Sequence, residues 1–411
     1  MLTPKLYRIR QRFDSKSIED VGAAVRDSFA AFGLAKKTRP GQTVAVGVGS
    51  RGLRDLTAVV KTTVECLRAR RLEPFIFPAM GSHGGAIGAG QARVLAELGI
   101  TELAVGAPIA SNMDTVSLGR VESGAEVCFA RDAAAADHII VINRVKPHTA
   151  FRASVESGLC KMLAVGCGRH RGASEMHRFD LAKTIVPAAR MILERTPVLG
   201  GLALTETATG HTHSIRLVGP EEFPEVDEEL LRIAWTLLPK LPVDDLDVLI
   251  VDEMGKNVSG AGMDPNVIGY WRKEGGPREP DYRILIVLDL TAESWGNATG
   301  IGMADLTTRR LVDKVDWDAT YINALTSGVL RSARMPIVMD DDRAALEVAL
   351  DCSVDPLGVR LARIVNTATL GTFWASEAVL PELRKEPDIY LDDAPLEIRF
   401  SRGGRMLSLS P

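Results

Sequence analysis

Residues 43–90 read TVAVGVGSRGLRDLTAVVKTTVECLRARRLEPFIFPAMGSHGGAIGAG. Thr43 to Val48 is short, apolar and rich in valine, as a buried strand is, and Gly49-Ser50-Arg51-Gly52 forms the loop at its end. Leu56 to Arg71 carries apolar residues at helical spacing and closes on basic residues, which suit the negative end of a helix dipole. Pro74 to Pro78 returns to a strand and opens into a second glycine-rich loop, AMGSHGGAIGAGQ. Strand, loop, helix, strand, loop and helix in succession specify a doubly wound α/β sheet, whose ligands bind in the loops beyond the carboxyl ends of the strands.

Outward from this stretch the same grammar continues. A strand over Leu6 to Phe13 and a helix from about Ser17 to Gly33 precede it, and Ile139 to Ile142 is a further buried strand. Ala182 to Arg195 reads as a helix, Gly200 to Thr207 as a strand, and Glu221 to Leu238 as an acidic amphipathic helix. Pro239 to Asp247, with two prolines and four charges, marks a domain boundary. Beyond it, Val248 to Val251, Arg283 to Leu288 and Pro336 to Met339 are strands, and Leu396 to Leu409 alternates like one. A chain of 411 residues exceeds the roughly 250–300 that one core supports. The expected organisation is two doubly wound, Rossmann-like α/β domains: 1–240, with 392–411 returning to complete it, and 241–391.

Composition narrows the function classes. Hydrophobic content of 46% and charged content of 25% are those of an ordinary globular protein. A net charge of -4 leaves no electrostatic footprint for nucleic acid or an anionic membrane. The five cysteines include no CxxC pair, so neither a disulfide framework nor a cysteine zinc site is indicated. The N-terminus lacks the apolar core of a signal peptide and no run is long enough to span a bilayer, so a cytoplasmic location is the expectation.

Chemistry concentrates in Asn143 to His177, NRVKPHTAFRASVESGLCKMLAVGCGRHRGASEMH, which holds three of the seven histidines and follows the strand ending at Ile142. Lys161 lies between His148 and His177. A lysine amine can anchor a cofactor covalently, and a neutral imidazole is the commonest protein ligand to a metal. Strand-end loops carry Ser50 and Arg51, His83 among glycines, and His148 after Lys146-Pro147. Arg51 can clamp a carboxylate or simply pair with Asp55, and two histidines on opposite sides of a substrate carbon suit racemisation or epimerisation. His211 and His213 form an HxH pair that reads better as a polar hairpin tip than as a metal site, and Asp340-Asp341-Asp342 better as a helix cap than as a cation site. In the second domain Asp252, Glu253 and Lys256 close one strand, and Glu293 and Asn297 lie after another. No GxSxG elbow, HExxH or Walker A motif is present.

The phrases PAMGSHGGA, NRVKPHTAF and EMGKNVSGAGMDPN resemble the nickel-dependent lactate racemase family. The resemblance implies two α/β domains with the active site in the cleft between them. It also implies a nickel-pincer nucleotide, pyridinium-3,5-bisthiocarboxylic acid mononucleotide, tethered to a lysine and loaded by cofactor-synthesis proteins. By motif, Lys161 corresponds to the anchor, His177 to the nickel ligand, His83 and His148 to the acid/base pair, and Arg51 to the substrate carboxylate site. Ser50 falls with the cofactor-binding residues and Lys256 with those that hold substrate. The implied activity is racemisation or epimerisation of a 2-hydroxy acid by proton-coupled hydride transfer through a transient 2-keto acid. Two other readings stand beside it: a related hydride-transfer oxidoreductase or lyase, and a non-catalytic metal- or nucleotide-binding carrier or sensor. The partners expected are the small 2-hydroxy acid and the cofactor-synthesis proteins, and a homo-oligomer is compatible with all of these.

Overall fold

The computed structural model describes residues 3–13, 16–50, 53–353, 355 and 358–409. Its strands in chain order are β1 Leu6–Gln11, β2 Thr43–Val48, β3 Glu73–Pro78, β4 Thr115–Arg120, β5 Glu126–Ala130, β6 His138–Arg144, β7 Val198–Glu206, β8 Thr212–Val218, β9 Asp245–Val251, β10 Asp281–Val287, β11 Leu306–Thr308, β12 Ile337–Met339, β13 Leu361–Ile364, β14 Thr372–Ser376 and β15 Ile389–Leu391. The chain divides into two compact units, one spanning Ser15–Leu238 and the other joining Met1–Asp14 to Pro239–Pro411.

The Ser15–Leu238 unit is built on a sheet of order β3-β2-β6-β7-β8, parallel from β3 to β7 with β8 antiparallel at the edge. Because side chains alternate across a strand, β2 feeds two cores. Val44, Val46 and Val48 join the residues of the helices Val21–Phe32 and Leu56–Ala69, while Ala45 faces the helices Leu181–Arg195 and Phe223–Leu237. Gly47 is small for a steric reason. A Cβ there would lie 2.9 Å from the Phe77 ring and 3.2 Å from Val141. Helices on both faces of a parallel sheet make this the expected doubly wound α/β architecture. A two-stranded ribbon, β4 with β5, adds two strands that the sequence analysis does not place, although Val116 and Leu118 alternate with polar residues along β4 and pack on the core.

The second unit has an eight-stranded sheet of order β12-β11-β10-β9-β13-β14-β1-β15. Its first five strands are parallel, and β14, β1 and β15 extend them antiparallel. Leu249 and Val251 of β9 enter one core, Val248 and Ile250 the other.

Both chain ends differ from the expected domain assignment. The N-terminal strand does not join the residues that follow it. β1 inserts between β14 and β15, where Ile9 is fully buried in the second unit's core. The C-terminal stretch does not complete the first domain either. Leu396 bridges Leu6, the chain turns at Gly404 with φ +73°, and Met406 N donates to Asp342 Oδ2 at 2.8 Å. It forms isolated bridges rather than a long strand, because Arg363 and Asp342 take up its backbone groups one at a time. The first helix starts at Val21 rather than Ser17, since Asp20 caps it by accepting Ala23 N–H at 2.7 Å. The acidic triplet is a cap as expected. Asp341 accepts Ala344 N–H, and buried Asp342 pairs with Arg310 at 2.9 Å. Among the described residues no helix is long and apolar enough to cross a membrane.

Four of the five tryptophans lie in the second unit, so tryptophan fluorescence reports on it. Replacing Ile9 by Ala should destabilise that unit by about 2–5 kcal/mol in a urea titration followed by this signal. An unchanged transition would mean that β1 contributes nothing to the sheet.

Candidate active site

The loops after β2, β3 and β6 leave the same edge of the first unit's sheet, because the three strands are parallel. The chain moves from β2 outward to β3 and then returns to β6 on the other side of β2. That reversal makes the carboxyl ends of β2 and β6 the topological switch point, where α/β folds bind ligands. Gly49 and half-buried Ser50 lie at the end of β2 there. A Cβ on Gly49 would lie 3.6 Å from Asn143 Oδ1 and 3.5 Å from the Met162 methyl.

The loop from Asn143 to Gly158 is laced to itself. Lys146 N–H donates to Ser157 Oγ at 2.7 Å, and the Ser157 hydroxyl donates back to Lys146 O at 2.6 Å. One turn further in, His148 N–H donates to Glu156 Oε2 at 2.7 Å, and Arg152 Nη1 donates to His148 O at 2.7 Å. Glu156 is 2% exposed, and burial raises its pKa against the pull of the His148 amide, Arg152, the Ala153 amide and Lys161. His148 itself is half-buried, with its ring 4.4 Å from that of Phe151. Its Nδ1 accepts Ala150 N–H at 3.1 Å, so in the neutral ring the proton sits on Nε2.

Lys161 ends the short helix Leu159–Lys161 and leads directly into π-helical Met162–Gly166, where Cys167 N–H reaches back to Met162 O at 2.8 Å. Its ammonium is 5.5 Å from the centre of the Phe151 ring. The helix is held at its start by Asp227, whose two oxygens accept the amides of Leu159 and Cys160, each at 2.8 Å. Asp227 is fully buried, and burial pushes its carboxyl up to about 7 although those two amide bonds pull it down.

His177 follows the helix Arg169–Met176. The residue as a whole is exposed, but its ring is packed enough for desolvation to lower its pKa, with the Lys161 charge adding to the effect. Nδ1 donates to Ala173 O at 2.6 Å, which leaves Nε2 with its lone pair. An imidazole fixed by a backbone carbonyl on one nitrogen is the usual arrangement of a metal-ligating histidine.

His83 is exposed in the loop after β3. That loop is tied to the Lys161–His177 segment: Gly81 N–H donates to Gly166 O at 3.1 Å, and a Cβ on Gly81 would lie 3.0 Å from that of Ala173. Gln91 Nε2 donates to Gly81 O at 2.8 Å and to His83 O at 3.3 Å. Behind it, fully buried Arg169 donates to Pro78 O at 2.6 Å and pairs with Asp132 at 3.1 Å.

Lys161, His177, His148 and the loops of Ser50 and His83 therefore belong to one neighbourhood. Arg51 lies outside the described residues; Asp55 accepts both N–H and O–H of Thr212. Lys256 lies in the other unit at the end of β9, where its ammonium donates to Gly260 O at 2.5 Å and Asn323 Oδ1 at 2.7 Å. There Asn297 accepts from Thr299, and Glu293 is exposed. His211 and His213 lie on the β7–β8 hairpin and are engaged by Arg54 and by Lys16 O. Among the described residues no three histidine, cysteine or acidic side chains are grouped to hold an ion, so a metal here would have to bring other ligands besides His177.

Residues 56–215 match the family described as "Domain of unknown function (DUF362)". No curated protein matches the sequence. Among solved structures, the lactate racemase apoprotein from Thermoanaerobacterium thermosaccharolyticum is similar, with a TM-score of 0.51 and 11% sequence identity over 87% of this chain and 94% of that one. At that identity the likeness is one of fold.

Asp227 also makes stability depend on pH. Its folded pKa lies above the ordinary carboxyl value, so the stability it lends is fully present below about pH 4 and is lost as pH rises through about 7. Wild-type stability relative to Asp227→Asn should therefore fall by on the order of a few kcal/mol across that range in urea titrations. A difference that does not vary with pH would show that the carboxyl titrates normally.

Proposed function

We propose that the chain is an isomerase, a racemase or epimerase of a 2-hydroxy acid that works with a nickel-pincer nucleotide tethered to Lys161. The observation that carries this is the imidazole of His177, whose Nδ1–H is held by Ala173 O so that Nε2 keeps its lone pair to ligate, on the segment that also carries the half-buried amine of Lys161 against Phe151. The likeness of fold to the lactate racemase apoprotein supports the same reading.

The residues present suit such a group. Lys161 presents a half-buried amine against Phe151, and this amine would tether the group. His177 supplies one borderline nitrogen ligand, which suits nickel. Glycines 49 and 81 keep the flanking loops free of side chains at their closest approaches. When bound, the group would supply a hydride acceptor and donor for the carbinol carbon of the substrate.

The remaining work falls to the protein. His83 and His148 are assigned to move the hydroxyl proton. The Ala150 amide at Nδ1 keeps the single proton of neutral His148 on Nε2, ready to hydrogen-bond a substrate oxygen. Release of that amide bond lets the neutral ring carry its proton on Nδ1, leaving the Nε2 lone pair to take the hydroxyl proton and the imidazolium so formed to return it. Glu156 and Arg152 hold the backbone of His148 on either side, so the ring's position is set by bonds to its own N–H and C=O. Ser50 is assigned to the bound nucleotide, and Arg51 and Lys256 to the substrate, on sequence resemblance alone.

The test uses the chain co-expressed with cofactor-synthesis machinery, assayed by peptide mass spectrometry, nickel analysis and a panel of chiral 2-hydroxy acids. We expect an added mass on the Lys161 peptide, with racemisation of at least one acid. His148→Ala and His83→Ala should lose about 10²- to 10⁴-fold in turnover while keeping both added mass and nickel. His177→Ala should lose the nickel. Unmodified Lys161 without nickel, under conditions that load a lactate racemase, would overturn the assignment. Loss of metal from the His148 variant would move that residue from proton transfer to ligation.

A further inference from the structure

We infer that Asp227 is the positioning residue of Lys161: a carboxylate lent by the helix Phe223–Leu237 to seat the start of the lysine's own helix. The inference rests on the reading of Lys161 as the functional amine. A helix needs partners for its first amides, and the residue just before it usually supplies one. Here that residue is Gly158, which has no side chain to offer and adopts φ +87°. A Cβ at Gly158 would lie 2.0 Å from Asp227 Oδ1, so the glycine makes room for a cap delivered from elsewhere in the chain. Asp227 fills that room with one oxygen on each of two successive amides, and Asn143 Nδ2 fixes Gly158 O at 2.6 Å from the other side.

The segment cannot hold itself. Leu159–Lys161 is three residues long and is followed at once by the π-helical turn, so neither side provides a run of ordinary helix. The helix that carries Asp227 also braces the histidine loop. Two turns further along, the Trp235 ring lies 4.8 Å from the Arg152 guanidinium, and Arg152 holds His148 O. A single helix thus references both the lysine and the histidine, and Asp227 is its arm toward the lysine.

Hydrogen exchange by mass spectrometry on the full chain reads this directly. In Asp227→Ala and in the isosteric Asp227→Asn, exchange in peptides covering 158–166 should quicken by about tenfold or more, with other peptides of the same unit unchanged. Gly158→Ala, which pushes the carboxylate away from the other side, should do the same and serves if the Asp227 variants fail to fold. In chain co-expressed with cofactor-synthesis machinery, the fraction of Lys161 carrying added mass should fall by about fivefold or more in Asp227→Asn. Unchanged exchange at 158–166, or an increase spread evenly over the unit, would overturn the inference. A wild-type chain left unmodified would count against the proposed function instead, while the exchange result would still decide the role of Asp227.

Discussion

The guanidinium of Arg169 is the constraint on which the arrangement of the first unit's loops depends. It has no exposed surface, sits over the Phe77 ring at 5.5 Å, and donates to the last residue of β3, to Gln91 and to Asp132. Its own backbone has φ +55°, a conformation that a long side chain adopts only when its surroundings dictate it. Burying an arginine is tolerable only with its partners in place, and removing one partner of such a pair costs about 3–5 kcal/mol. Three separate stretches are therefore held by one cation to the helix that ends beside His177: the end of β3 that leads into the loop of His83, the helix that begins at Gly88, and the short helix of Asp132. Sequence neighbours alone would not bring them together.

The Lys161 segment shows the complementary case, in which local structure is unfavourable and the surroundings compensate. A π-turn has poorer backbone geometry than an α-turn and persists where tertiary contacts support it, often at functional sites. Its support here comes from the Asp227 carboxylate, the Asn143 amide and the Gly81–Gly166 bond. The result is a lysine whose backbone is held by elements distant in sequence, which is what a covalent anchor or a reacting group requires.

How much of this was legible follows from the range of the forces. The parallel strands were readable because β2, β6 and β9 are buried on both faces and must be apolar throughout. The loops carrying Ser50, His83 and His148 followed from the strand ends. The assignment of β1 and the C-terminal stretch to the second unit was not readable, because alternation reveals that a strand is half-buried but not against which sheet. Glu156 and Arg169 lie inside the stretch singled out by its histidines, yet nothing in their local sequence marks them as buried. Their burial depends on partners at Arg152, Asp132 and Pro78. Asp227 carried even less signal, since it sits in an acidic helix and acts on amides 67 and 68 residues away.

The charge on Lys161 ties the protons of two neighbours together. It adds to the burial that lowers the basicity of His177, and it works against the burial that raises the carboxyl of Glu156. Neutralising the amine would therefore move both groups toward holding a proton, the imidazole and the carboxyl alike, without changing what packs around either.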